Sequence, residues 1–318
     1  MNWDTYALID HRPLGERGED TFALNFRRDD IHTLAVFDGC GGSGAWKYPE
    51  FGNATGARVA AQTVSPEYLK WFDGIGPDDA SDPGALARNL EKHMTGVLSG
   101  LKELAAPMGI VGNLVKSFPT TAACAVITDA PDGGIRLTAL NAGDSRVYFL
   151  TPDGLVQMTR DDSRGNPDPL ETLRANPPMS TMLNADKPFT VTASRADIPG
   201  PCAVMAATDG VFGYVRSPMH FEYMLLKALD GAKTVYGFEE KLKEDVVRIT
   251  GDDSTCVMSF YGWKSLSAVQ RAMKPRLEAV RKAVEAVDAL TDREAREAEL
   301  QRQWALYRKT TLYYEQQG

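Results

Sequence analysis

"TAACAVITDAPDGGIRLTALNAGDSRVYFLTPDG", residues 121–154, alternates apolar runs with turn signals. Thr121–Ile127, Ile135–Leu140 and Val147–Leu150 read as strands. Between and after them, "APDGG" (130–134), "NAGDS" (141–145) and "TPDG" (151–154) supply the Gly, Pro, Asn and Asp that tight turns use. Connections this short join antiparallel neighbours, because a parallel crossover needs a dozen or more residues. The stretch therefore predicts a meander, and with it a largely antiparallel sheet.

The same signals continue on both sides. Strand-like runs recur at Tyr6–Ile9, Thr21–Phe26, Leu34–Phe37, Phe189–Ala193, Cys202–Ala207 and Cys256–Tyr261. Helical stretches occupy 54–72 and 84–107, the second with Leu86, Leu90, Met94, Val97, Leu101 and Leu104 on one face. Residues 217–250 read as a further helical pair, and the Pro-rich stretch 163–179 as a surface excursion. Strands and helices that come in blocks predict an α+β layered fold over a doubly wound parallel sheet.

Beyond residue 262 the chain changes character. Apolar residues at 266, 269, 273, 277, 280, 284 and 287 mark an amphipathic helix, which Pro275 is expected to restart. "TDRE", Thr291–Glu294, has the capping-box pattern for a second helix to about Tyr313. The expected division is a catalytic domain over 1–262 and a C-terminal helical extension over 263–318. That extension either packs on its own domain or contacts a partner or a second copy.

Composition narrows the function. An apolar content of 43% and a charged content of 25% are ordinary for a soluble globular protein. A net charge of −8 supplies no basic field for a nucleic-acid backbone. No run is long enough to span a bilayer, and the first residues show no basic leader followed by an apolar stretch. Cys40, Cys124, Cys202 and Cys256 lie far apart with no zinc-ligand spacing. The expectation is a reduced, cytoplasmic protein with neither a nucleic-acid nor a membrane partner.

Carboxylates gather at the strand ends. In "AVFDGCGGSG" (35–44) an apolar run stops at Asp38 and meets a glycine-rich loop. Glu19 and Asp20 precede one strand, Asp144 another, and Asp252 and Asp253 the last, while Asp209 follows "VMAAT". Each alone reads as a solvated turn. Together, with no histidine among them, they form the all-oxygen donor set that magnesium or manganese takes, and Gly39 leaves room for its own carbonyl to approach a cation.

In order and spacing these motifs resemble the metal-dependent protein serine/threonine phosphatases of type 2C. The matching pieces are "GED" (18–20), "VFDGCGG" (36–42), "PTTAACAV" (119–126), "NAGDSRVYFL" (141–150), "MTRDDS" (158–163), "AATDGVFG" (206–213) and "GDDSTCVM" (251–258). The resemblance implies a four-layer α-β-β-α sandwich with a dinuclear Mn²⁺ or Mg²⁺ centre in a cleft. It implies that Asp38 bridges both ions, that the Gly39 carbonyl ligates one, and that Asp209 and one of Asp252 and Asp253 complete that shell. Alignment on Thr255 favours Asp252. Glu19, with Asp20 behind it, would hold the other ion. Water activated by the pair would attack phosphorus directly, with no phosphoenzyme.

Three departures bear on activity. Cys40 replaces the family's histidine, and the family's phosphate-binding arginine falls on Gly15, with Arg12 and Arg17 on either side; Arg17 is the preferred substitute. A third, weak cation site would use Asp144, but its second acid position is Gly213. Trp46 and Tyr48 are candidates either for the cleft wall or for simple packing. The leading reading is a phosphatase acting on phosphoserine or phosphothreonine in proteins. The competing one is a phosphatase-like binding module for a phosphoprotein or another partner.

Overall fold

The computed structural model describes residues 5–13, 15, 18–106, 115–131, 133–165, 168–175 and 177–316. In chain order its elements are β1 (Thr5–His11), β2 (Leu24–Arg28), β3 (Ile31–Val36), α1 (Gly41–Gly44), β4 (Lys47–Tyr48), β5 (Ala54–Thr55), α2 (Gly56–Asp73) and α3 (Pro83–Leu104). The expected meander forms only in part: β6 (Ala122–Asp129) and β7 (Ile135–Ala142) pair in one sheet, whereas β8 (Arg146–Thr151) and β9 (Gly154–Gln157) pair in the other, so the short turn after β7 crosses between the sheets. Then come α4 (Pro169–Ala175), β10 (Thr192–Ile198), β11 (Cys202–Ala207), α5 (Asp209–Phe212), α6 (Pro218–Asp230), α7 (Val235–Val247) and β12 (Ser254–Tyr261). The C-terminal extension is α8 (Leu266–Asp288), α9 (Arg293–Thr311) and α10 (Tyr313–Gln316).

Two five-stranded sheets, ordered β1-β12-β11-β8-β9 and β10-β7-β6-β3-β2, face each other. All their ladders are antiparallel. Side-chain parity explains why the central strands read as continuous apolar runs rather than as alternating ones. In β12, Val257 and Tyr261 point between the sheets, while Cys256, Met258 and Phe260 point at the outer helices. In β3, Leu34 and Val36 face the other sheet, and Ile31 and Ala35 face α2 and α3. Helices thus cover both outer faces, giving the expected α-β-β-α sandwich. Each fully buried large apolar side chain contributes roughly 1.5–3 kcal/mol.

Registry gathers the acidic loops. Val36 pairs with Ala123, Ala122 with Ala142, Ala207 with both Arg146 and Cys256, and His11 with Ser254. The ends of β3, β7, β11 and β1 and the starts of β8 and β12 therefore lie at one end of the sandwich.

The C-terminal helices dock on their own domain. Val280, Val284 and Val287 of α8 share an apolar cluster with Leu300 and Trp304 of α9, Leu170 of α4 and Met219 of α6. Fully buried Glu222 in α6 accepts two bonds from Arg276, both 2.7 Å, one from Tyr307 Oη at 2.5 Å and one from the Leu155 amide at 3.1 Å.

Several local expectations differ from what forms. Pro275 does not restart a helix; α8 runs through it. The proline lies on the exposed face, as does Arg271, whose freed carbonyl is open to water. Pro66 does the same within α2. The second extension helix is capped by Asp292, whose carboxylate accepts from Ala295 N at 2.8 Å. Glu294 is consequently one residue short of the position a reciprocal capping box requires. The Phe189–Ala193 strand forms three residues later as β10, because Phe189 and Val191 serve as plugs under α3 in the helix-facing core. β9 and α4 were not expected; both are short, and α4 lies inside the excursion.

Candidate active site

A cleft of about 1010 Å³ opens at the acidic end of the sandwich. Glu19, Asp38, Gly39, Cys40, Asp144, Asp209, Asp252 and Asp253 line it, so seven of the eight residues expected to ligate a metal stand in one place, with Cys40 beside them. The eighth, Asp20, lies just behind: it is buried, and its Oδ2 accepts from Thr255 Oγ1 at 2.6 Å and Thr208 Oγ1 at 2.9 Å. Those threonines terminate β12 and β11, so the sheet itself holds Asp20.

Each acid has its own mounting. Asp38 leaves β3 with its carbonyl bound by Thr121 N at 2.7 Å and Thr120 Oγ1 at 2.8 Å, and its amide donating to Thr121 Oγ1 at 3.2 Å. Glu19 Oε1 accepts from Thr55 Oγ1 at 2.5 Å, just before α2. Asp252 is exposed on the rim, whereas buried Asp253 turns Oδ2 to the amides of Glu19 (2.7 Å) and Asp20 (3.4 Å). Asp253 Oδ1 is buried with no hydrogen-bond partner.

The glycines permit this crowding. A Cβ on Gly41 would lie 1.9 Å from Glu19 Oε2, and one on Gly39 2.7 Å from the Ala57 backbone. On Gly210 it would meet the Asp253 carbonyl at 1.8 Å. Any side chain at these positions would push an acid out of the cleft.

Electrostatics sets the chemistry. Burial, then the charges of Asp20, Asp209 and Asp144, hold Asp38 well above the usual carboxylate range. Burial with Asp209 and Asp161 does the same to Asp144. Burial pushes Asp20 up to about 7 against the pull of its threonine hydroxyls, and burial with Asp252 brings Asp209 to about 6. Glu19 is raised by burial as well. So many carboxyls cannot all be ionised together in a low-dielectric cleft without a counter-charge.

The donor set fits hard divalent cations: all oxygen, no histidine, and one buried carboxylate oxygen left unpartnered. Among the described residues no three acidic, histidine or cysteine side chains already form a closed metal cage.

Other expected residues fall elsewhere. Arg17 lies outside the described residues. Arg12 is engaged by Asp10 Oδ1 and the Asp20 carbonyl, both at 2.7 Å, and is not in the cleft lining. Trp46 and Tyr48 are not cleft walls; Tyr48 is buried and stacks on Phe118 with ring centroids 4.5 Å apart. Cys40 is buried, and burial with the surrounding carboxylates pushes its thiol far up.

Sequence reasoning missed two features. Arg146, 2% exposed, makes a bidentate pair with Asp161 (2.8 and 2.7 Å) and lies over Phe212 at 4.3 Å. Both partners stand inside quoted motifs, "GDSR" and "TRDD", so the pairing had a signal. Lys116, Arg164 and Lys187, which also line the cleft, had none.

With this arrangement in view, solved structures provide the likeness. A bacterial serine phosphatase aligns with a TM-score of 0.61 and 18% identity, over 81% of this chain and 98% of that one. The fold is that of the bacterial serine/threonine phosphatases. Serine/threonine phosphatase Stp1 from Staphylococcus aureus aligns at 0.60 and 18%, over 81% and 96% of the two chains. The catalytic domain of serine/threonine phosphatase PstP, in complex with two manganese ions, aligns at 0.53 and 19%, over 81% and 97%. No family model and no curated protein matches the sequence. Among the described residues, no helix of this phosphatase fold is long and apolar enough to cross a membrane.

Proposed function

We propose that this chain is a Mn²⁺- or Mg²⁺-dependent phosphatase of phosphoserine and phosphothreonine in proteins. The observation that carries the reading is the convergence of acids from five separate chain segments in one cleft.

In this reading Asp38, Asp209, Asp252 and the Gly39 carbonyl, with Glu19 backed by Asp20, would together hold two cations. Asp253 anchors the Glu19–Asp20 segment through its amides and keeps Oδ1 free toward the cleft. Asp144 would contribute to a third, weaker site. Bound there, such ions supply the Lewis acidity that activates a water for in-line attack and neutralises the phosphoryl oxygens.

The chain's own groups orient and exclude. Threonines 55, 120, 121, 208 and 255 fix the acids so that little reorganisation accompanies reaction. Burial raises the Cys40 thiol well above its usual range, and this reading gives it no nucleophilic role.

One observation favours the alternative of a binding module without turnover: Arg12, which flanks the Gly15 position, is bonded to Asp10 and the Asp20 carbonyl and does not line the cleft. Hydrolysis of p-nitrophenyl phosphate and a phosphothreonine peptide, with Mn²⁺, Mg²⁺ or EDTA, separates the two. Turnover that requires metal and disappears in Asp38→Ala supports the phosphatase. A folded, metal-binding wild type without turnover refutes it.

A further inference from the structure

Three basic residues line the same cleft as the acids. Lys116 comes from the segment leading into β6, Arg164 from the start of the excursion, and Lys187 from the stretch between the excursion and β10. Among the described residues none of the three makes a salt bridge or a side-chain hydrogen bond to an acid. Asp186, the carboxylate beside them, is held by Lys102 Nζ at 2.7 Å and by the Ser117 amide at 2.6 Å.

Their backbones are fixed while their charges are left open. Lys116 N donates to the Ser43 carbonyl (2.9 Å), which ties it to the glycine loop. Arg164 N donates to the Pro178 carbonyl (3.0 Å), and Lys187 N to Asn184 Oδ1 (2.9 Å). The cations crowd one another: burial, then Lys187 and, less, Arg164, lower the affinity of Lys116 for its proton, and Asp186, itself held by Lys102 and the Ser117 amide, offsets this only in part. Like charges gathered with too little negative charge beside them are stabilised by an incoming anion.

Cleft size points to what that anion belongs to. At about 1010 Å³ the cleft is at the upper limit of ordinary small-molecule sites and holds more than one phosphorylated side chain. Pro178, Met179 and Pro188 add apolar surface between the cations, as a peptide backbone and its side chains require.

We propose that Lys116, Arg164 and Lys187 form an anion subsite that selects phosphoproteins with acidic residues beside the phosphorylated one. The proposal rests on the phosphatase reading for the group delivered to the carboxylates, but its test does not depend on turnover. Mn²⁺-loaded wild-type protein is titrated against two fluorescein-labelled phosphonate peptides, non-hydrolysable, one with Asp and Glu neighbours and one with Asn and Gln. Anisotropy gives the ratio of their Kd values.

The acidic peptide should bind about tenfold tighter, since exposed ion pairs contribute up to about fivefold each. Lys116→Gln, Arg164→Gln and Lys187→Gln should each cut the ratio about twofold, and the triple variant should bring it to about one. Lys227→Gln, on α6 and outside the cleft lining, should leave it unchanged. Raising salt should compress the ratio in wild type and not in the triple variant. No preference in wild type, or a preference that survives in the triple variant, overturns the proposal. Phosphothreonine hydrolysis is followed in parallel. If it is missing while the preference depends on the three cations, the phosphatase reading fails and the subsite stands.

Discussion

Replacing Arg146 with methionine tests whether the fold's most deeply buried ion pair is held as the geometry indicates. Arg146 and Asp161 have side-chain exposures of 2% and 3%, and their two bonds of 2.8 and 2.7 Å leave neither group a route to water. Arg146→Met removes the guanidinium and strands the Asp161 carboxylate in the core; breaking a buried pair from one side costs about 3–5 kcal/mol. It also removes the cation from the Phe212 ring, 4.3 Å away, worth about 1 kcal/mol. For a chain of 318 residues a loss of about 4 kcal/mol lowers Tm by about 6 °C. Arg146→Met/Asp161→Leu removes both charges and should recover at least half of that loss, because no uncompensated charge remains. Urea denaturation of wild type, both single variants and the double variant gives the coupling energy directly. A single-variant cost below about 1 kcal/mol, or a double variant no better than the sum of the singles, would refute the reasoning.

Three further outcomes follow from the geometry. Gly41→Ala places a methyl group against Glu19 Oε2 and should weaken Mn²⁺ binding about tenfold by calorimetry, with the circular dichroism spectrum unchanged. In metal-free protein, Asp20 (about 7) and Asp209 (about 6) are raised from an ordinary 3.8, so the folded state binds more protons than the unfolded one. Stability should therefore fall as pH rises through those values, with a higher urea midpoint at about pH 5 than at about pH 8, and saturating Mn²⁺ should abolish the trend. Trp304→Phe deletes the indole N–H that donates to both Asp168 oxygens at 3.0 Å. It should cost about 1–3 kcal/mol and speed trypsin cleavage after Arg164 and Arg174; an unchanged digestion pattern would show that α9 does not restrain the excursion.

The sequence already carried the layered fold, because the features that encode it are local. Cys202–Ala207 is apolar throughout, and Cys256–Tyr261 is so apart from Ser259, since both faces of their sheet are covered; the turn between β6 and β7 makes an antiparallel join, while the equally short turn from β7 to β8 crosses to the other sheet. Most of the acids were legible for the same reason, since Asp38, Asp144, Asp209, Asp252 and Asp253 stand next to strand ends, whereas Glu19 and Asp20 lie in the loop ahead of β2. Where local signals compete, a reading of the sequence goes astray. Phe189 and Val191 look like a strand but fill a helix-facing core, and Pro275 looks like a break but stands where water replaces the lost bond.

What only the tertiary structure decided is the set of contacts between distant segments. Registry alone brings Asp20 within reach of Thr208 and Thr255, 188 and 235 residues away. The docking of α8 and α9 on their own domain depends on Glu222 meeting Arg276 and Tyr307. Lys116, Arg164 and Lys187 have no motif and no periodicity, so nothing local distinguishes them from other surface cations. Their common position in one cleft arises because a charge acts through space, while the signals in a sequence act along the chain.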